Sequence, residues 1–181
     1  MKYTLMSMLL LGSLLQAQDY QLDTSSQSTL RGYAYEDYPF PSGLKLRTLD
    51  KQTVEFKPEG VTLIQVWTKG GGSQVDLWTT VTRLAERYEE QGLTTISVNF
   101  ENGTSGKVQR AFLDEYFTKV TKPKHFYYDT LGYVVDLLKV PGFPTYYLVD
   151  KQGRVVFRTN GNDPEGVQIL ENEIIAKLQK G

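Results

Sequence analysis

YYDTLGYVVDLLKVPGFPTYYLVDKQGRVVFRTNG, residues Tyr127 to Gly161, is the stretch whose reading decides the fold. The aromatics at its start, with Phe126, predict a short strand. Leu131 to Leu138 has the apolar spacing of a short helix. After Phe143-Pro144, Thr145 to Val149 and Arg154 to Arg158 read as strands on either side of Asp150-Lys151-Gln152-Gly153, a strong hairpin signal.

The pattern extends in both directions. Upstream, Val61 to Trp67 is a nearly continuous apolar run, as expected of a strand covered on both faces. A glycine loop follows, and then Ser73 to Tyr88, where Leu77, Val81, Leu84 and Tyr88 recur at helical spacing until Gly92 stops the helix. Leu93 to Phe100 is the next strand. Lys107 to Val120 is a second helix, with Val108, Phe112, Leu113 and Tyr116 on its apolar side. Before the core strand, Leu44 to Asp50 and Thr53 to Phe56 alternate in polarity and form a hairpin. Tyr33 and Tyr35 alternate with small or polar residues, which predicts an edge strand covering the sheet; an aromatic sticky surface is the other reading. Downstream, Asp163 is placed to cap a last helix, with Pro164 in its first position and Val167, Leu170, Ile174 and Leu178 on one face. Helices that connect successive strands imply parallel pairs, and the late hairpin adds an antiparallel edge. The expected fold is α/β, a central mixed β-sheet flanked by helices with an N-terminal β-hairpin extension.

Residues 1–17 read as a secretory signal: Lys2, an apolar stretch from Leu5 to Leu15, and a cleavage site at Gln16-Ala17. That run is shorter than the roughly 20 residues needed to span a bilayer. Residues 18–43 then form an extension and edge strand, and residues 44–181 the main domain. Cleavage near Ala17 implies a periplasmic or secreted location. It leaves 19 basic and 21 acidic residues, a net charge of −2 that favours neither nucleic acid nor an acidic membrane. No later segment is apolar enough to span a membrane. His125 is the only histidine and there is no cysteine, so no metal site and no cofactor are expected.

The segments LRTLDKQTVEFKPEGVTLIQVW, LAERYEEQGLTTISVNFE and Tyr127 to Gly161, taken together, resemble the thioredoxin superfamily, in particular the extracytoplasmic thiol-disulfide oxidoreductases of the TlpA/ResA type. The resemblance covers about Leu44 to Leu178 and implies a thioredoxin-like fold. It also implies a Cys-x-x-Cys pair at the loop after Trp67. Counting four residues on from Trp67 gives Gly71, and counting ten back from Leu84 gives Gln74. The chemistry of the family needs a thiolate to attack a disulfide and a second thiol to resolve the product. Here neither position carries sulfur. The family's buried aspartate position falls on Gln65, and the position of a helical glutamate on Leu77, with Asp76 next to it.

The resemblance leaves the binding half in place. Phe143-Pro144 matches the family's cis-proline, beside which an extended peptide pairs by strand addition. Trp67, Gly70, Gly71, Gly72, Ser73, Gln74, Phe143 and Pro144 are the expected binding residues, with an extended peptide or envelope protein as partner. The chain lacks both catalytic cysteines and is expected to act in recognition. Two alternatives stay open: an oxidoreductase activity that uses a partner's thiols, and anion binding at the Gly70–Ser73 loop, where glycine amides, Lys69 and a helix start meet.

Overall fold

Val61–Trp67, buried at every position, is a central strand of the sheet, which has eight strands among the described residues. The computed structural model describes residues 32–70, 74–101, 103, 105–119, 122–161 and 163–179, with the backbone alone for 74–79. The leader expected at residues 1–17 and the extension up to residue 31 lie outside the described residues. The strands are β1 (Tyr33–Pro39), β2 (Lys45–Arg47), β3 (Thr53–Glu55), β4 (Val61–Trp67), β5 (Leu93–Phe100), β6 (His125–Asp129), β7 (Thr145–Val149) and β8 (Arg154–Asn160). The helices are α1 (Gln74–Tyr88), α2 (Gly106–Tyr116), α3 (Tyr133–Leu137) and α4 (Pro164–Gln179).

The sheet order is β1-β8-β7-β4-β5-β6-β2-β3. β4, β5 and β6 are parallel, joined through α1 and α2, while the other neighbours are antiparallel. This is the expected mixed sheet. One face carries α1 and α4 through Val81, Leu84, Leu170 and Ile174, which pack on Val61, Leu63, Leu148 and Phe157. On that same face α2 packs Leu113 and Tyr116 against Trp67, Phe126 and Tyr128. The opposite face carries α3, whose Val134 joins Leu44, Leu46, Ile64, Val66, Ile96 and Val98. Among the described residues no helix is long and apolar enough to cross a membrane.

The structure departs from the sequence pattern in two helices. Val108 was expected on the apolar side of α2, but it is 60% exposed, and Gln109 is fully buried instead. Ser105 caps the helix by accepting from the Val108 amide, which places Val108 on the outer side of the first turn. α3 starts at Tyr133, two residues after Leu131, because the Asp129 carboxylate holds the preceding turn. It accepts from the amides of Leu131 (3.2 Å), Gly132 (2.9 Å) and Val134 (2.7 Å). α4 begins as expected. Asp163 accepts from the Glu165 amide at 3.1 Å, and Pro164 is the first helical residue.

Candidate functional site

The sheet's direction of winding changes at β4. From it the chain steps through α1 to β5 on one side, and later crosses by α3 to place β7 on the other. In an open α/β sheet such a reversal leaves a crevice outside the carboxyl end of the strand. Trp67 ends β4 at that crevice. The β4–β7 ladder pairs Val66 with Thr145, so the next positions along it are Trp67 and Pro144. The loop that leaves Trp67 therefore faces the segment that enters β7. The Phe143–Pro144 peptide bond is cis.

The expected binding residues separate into three groups. Trp67 and Pro144 are buried, so they form the floor of this region rather than an open wall. Trp67 turns its indole into the α2 cluster, with the ring of Tyr116 at 5.5 Å and those of Phe112 and Phe126 at 6.5 Å. Its placement as a groove-lining side chain is thereby corrected. Phe143 is half-buried, with its ring 5.9 Å from that of Phe100, and Gly70 is exposed. Gly71, Gly72 and Ser73 lie outside the described residues, as do the side chains of Gln74, Asp76 and Leu77. Gln74 is the first residue of α1. Lys69 is engaged at two points. Its amide donates to Glu101 Oε1 at 2.6 Å, and its ammonium lies 4.9 Å from the centre of the Phe112 ring.

Beneath the loop run two buried polar chains that sequence reading missed. In one, Trp67 Nε1 donates to Ser97 Oγ (2.9 Å), Ser97 donates to Gln65 Oε1 (3.0 Å), and Gln65 Nε2 donates to the Tyr146 hydroxyl (3.4 Å). Burial, partly offset by hydrogen bonds to Gln65 and Thr80, pushes the Tyr146 phenol up to about 12. This chain therefore holds its protons at neutral pH.

In the other, Gln109 Nε2 donates to Asn99 Oδ1 (2.9 Å) and to the Asn99 carbonyl (3.2 Å). Asn99 Nδ2 in turn donates to Glu101 (3.0 Å) and to the Trp67 carbonyl (3.5 Å). Gln109 Oε1 is buried without a partner among the described residues. The signal in the sequence is the alternation Thr95, Ser97, Asn99 along a strand whose other face is apolar.

Gly161 backs Pro144. Its amide donates to the Pro144 carbonyl at 2.9 Å, and a β-carbon there would lie 2.4 Å from Pro144 Cγ and 2.8 Å from Tyr146 Cε2. Both atoms belong to rings, which cannot swing aside. Gly161→Ala is expected to lower stability by about 3 kcal/mol, the upper range for overpacking. Urea unfolding reads this directly. An unchanged midpoint would show that Pro144 can retreat.

No protein-family model matches the chain, and no curated protein matches it. Solved structures do. A DsbE-like thiol:disulfide interchange protein from Chlorobium tepidum matches with a TM-score of 0.67 at 21% identity, over 79% of this chain and 97% of that one. A thioredoxin-like protein from Porphyromonas gingivalis matches with a TM-score of 0.61 at 17% identity, over 80% and 95%. A secreted disulfide oxidoreductase from Mycobacterium tuberculosis matches with a TM-score of 0.52 at 14% identity, over 74% and 96%. With the strand order, the β4–β7 register and these neighbours together, the chain has a thioredoxin-like fold and contains no cysteine.

Proposed function

We propose that this protein is a redox-inactive member of the bacterial envelope, binding an extended peptide or partner protein at the face formed by Phe143, Pro144 and the loop after Trp67. One observation carries the reading. The ladder that pairs Val66 with Thr145 brings Pro144 level with Trp67, and the resemblance puts the two thiol positions four and seven residues after Trp67, at Gly71 and Gln74. A thioredoxin-like backbone there offers strand addition, and the half-buried Phe143 ring offers one apolar contact. Electron transfer has no carrier, because neither glycine nor a glutamine amide forms a disulfide. The position at which the family carries a buried aspartate holds the amide Gln65, which accepts from Ser97. The envelope location rests on the leader-like residues 1–17. It is supported by two neighbours described as a secreted oxidoreductase and an exposed lipoprotein thioredoxin.

Two assays test this. In insulin reduction the purified protein is expected to stay at the dithiothreitol background, and Gly71→Cys/Gln74→Cys to rise above it. On a peptide array, Phe143→Ala is expected to weaken capture about tenfold, the size of one lost apolar anchor. Turnover by the unmodified protein sinks the redox half. Capture indifferent to Phe143 sinks the binding half.

A further inference from the structure

Beyond β6, two strands away from β4, β2 and the segment after β6 enclose a cavity of about 560 Å³, within the range of pockets that hold small molecules. We propose that this cavity binds a small organic anion, a carboxylate or phosphate attached to a flat apolar group. The site is distinct from the Phe143–Pro144 face and does not depend on the function proposed for it.

The charge comes from β2. Leu46 is buried in the core, so Lys45 and Arg47, on either side of it, share the opposite face and line the cavity. Both are exposed, and among the described residues neither is in an ion pair. Glu55, opposite Lys45 in the β2–β3 ladder, pairs instead with Lys57 at 3.6 Å. The carboxylate in the cavity wall, Asp129, is buried, and both its oxygens accept from backbone amides of the α3 turn. Its charge is already spread over three donors, so the two cations face the cavity without a committed counter-ion.

The apolar half comes from β6 and α3. Tyr128 is buried in the wall, while Leu131 and Tyr133 stand 70% and 51% exposed at the cavity. A ring or short acyl group lying across Leu131 and Tyr133 would cover both. Two cations beside an exposed leucine and tyrosine favour a ligand that is anionic at one end and flat at the other.

An amide-resolved NMR titration with phenyl phosphate tests the site, with inorganic phosphate and benzyl alcohol as controls that each carry half of the ligand. Saturable shifts are expected at Leu131, Tyr133 and Gly106, the last of which lines the cavity from the start of α2, with a dissociation constant below about 1 mM. Each control should bind at least about fivefold more weakly, and Lys45→Gln/Arg47→Gln about tenfold more weakly, at unchanged melting temperature. Leu131→Glu, which leaves both cations in place but adds a negative charge at the rim, should also weaken binding. Absence of saturation overturns the proposal, as does equal binding by the double variant or by benzyl alcohol. Shifts confined to residues 70–74 would assign the ligand to the glycine loop and overturn it equally.

Discussion

Trp67→Ala is expected to cost about 3–5 kcal/mol, the range for emptying a buried aromatic site. For a domain of this size that lowers the melting temperature by roughly 6–20 °C. The indole is wholly inaccessible, and three aromatic rings surround it. Its deletion would leave a cavity that Leu113 and the sheet cannot close, and would strand Ser97 without its donor. Trp67→Phe separates these effects. It keeps most of the volume and removes the N–H, so about 1–3 kcal/mol should be lost. Thermal unfolding measures both. If Trp67→Ala abolished peptide capture at unchanged stability, the indole would have to touch ligand, and its placement in the core would be wrong.

Glu171→Ala should cost about 3 kcal/mol at neutral pH. The carboxylate is nearly buried on α4, where it accepts from Arg83 (2.7 Å), Arg87 (2.6 Å) and Tyr88 (2.9 Å) and so ties α4 to α1. Removing one partner of a buried pair costs about 3–5 kcal/mol. The lower end applies because Arg83 and Arg87 are themselves 39% and 54% exposed and reach water. Burial by itself would raise the Glu171 carboxyl, but the hydrogen bonds from Arg83, Tyr88 and Arg87 and the charge of Arg83 overcome it and hold it below its usual value.

A carboxyl lowered in this way contributes stability in full above its unfolded value of about 4.3, and loses it as pH falls through the lower folded value. The stability gap between the protein and Glu171→Gln should therefore be constant from about pH 6 to 8 and shrink below about pH 4. Urea unfolding at pH 7 and pH 3 checks this. A gap that widened in acid would mean that the carboxyl is raised, not lowered.

The fold was legible because its strongest signals are local. A short, nearly continuous apolar run rich in β-branched residues and followed by a glycine loop reads as a covered strand, and Asp150 to Gly153 leaves little choice but a hairpin. That Trp67 and Pro144 meet was implied by the family resemblance, and the β4–β7 ladder supplied their register. The site was legible only in outline. Ser97 and Asn99 sit in a strand where polar residues ordinarily mark the solvent side. Here their side chains turn inward because Trp67, Gln65 and Gln109 supply partners from other elements, and no window of sequence contains those partners together. Val108 misled for a related reason: an apolar residue in the first turn of a helix satisfies the periodicity even when the cap rotates it outward. Trp67 misled because its position beside the loop said nothing of the direction of its ring.

β1, the earliest of the described strands, lies against β8, one of the last. Its anchors, Arg154 to Asp37 and Arg158 to Glu36, join residues 117 and 122 apart in the chain. Contacts that distant carry the largest loop-closure penalty and tend to form late. The aromatic strand Tyr33–Pro39 is therefore expected to stay unpaired until most of the sheet has assembled. Through that interval β8 is an open edge that another copy could occupy. Crowding at high expression should then favour strand-exchanged dimers, in which β1 of one molecule completes the sheet of its twin.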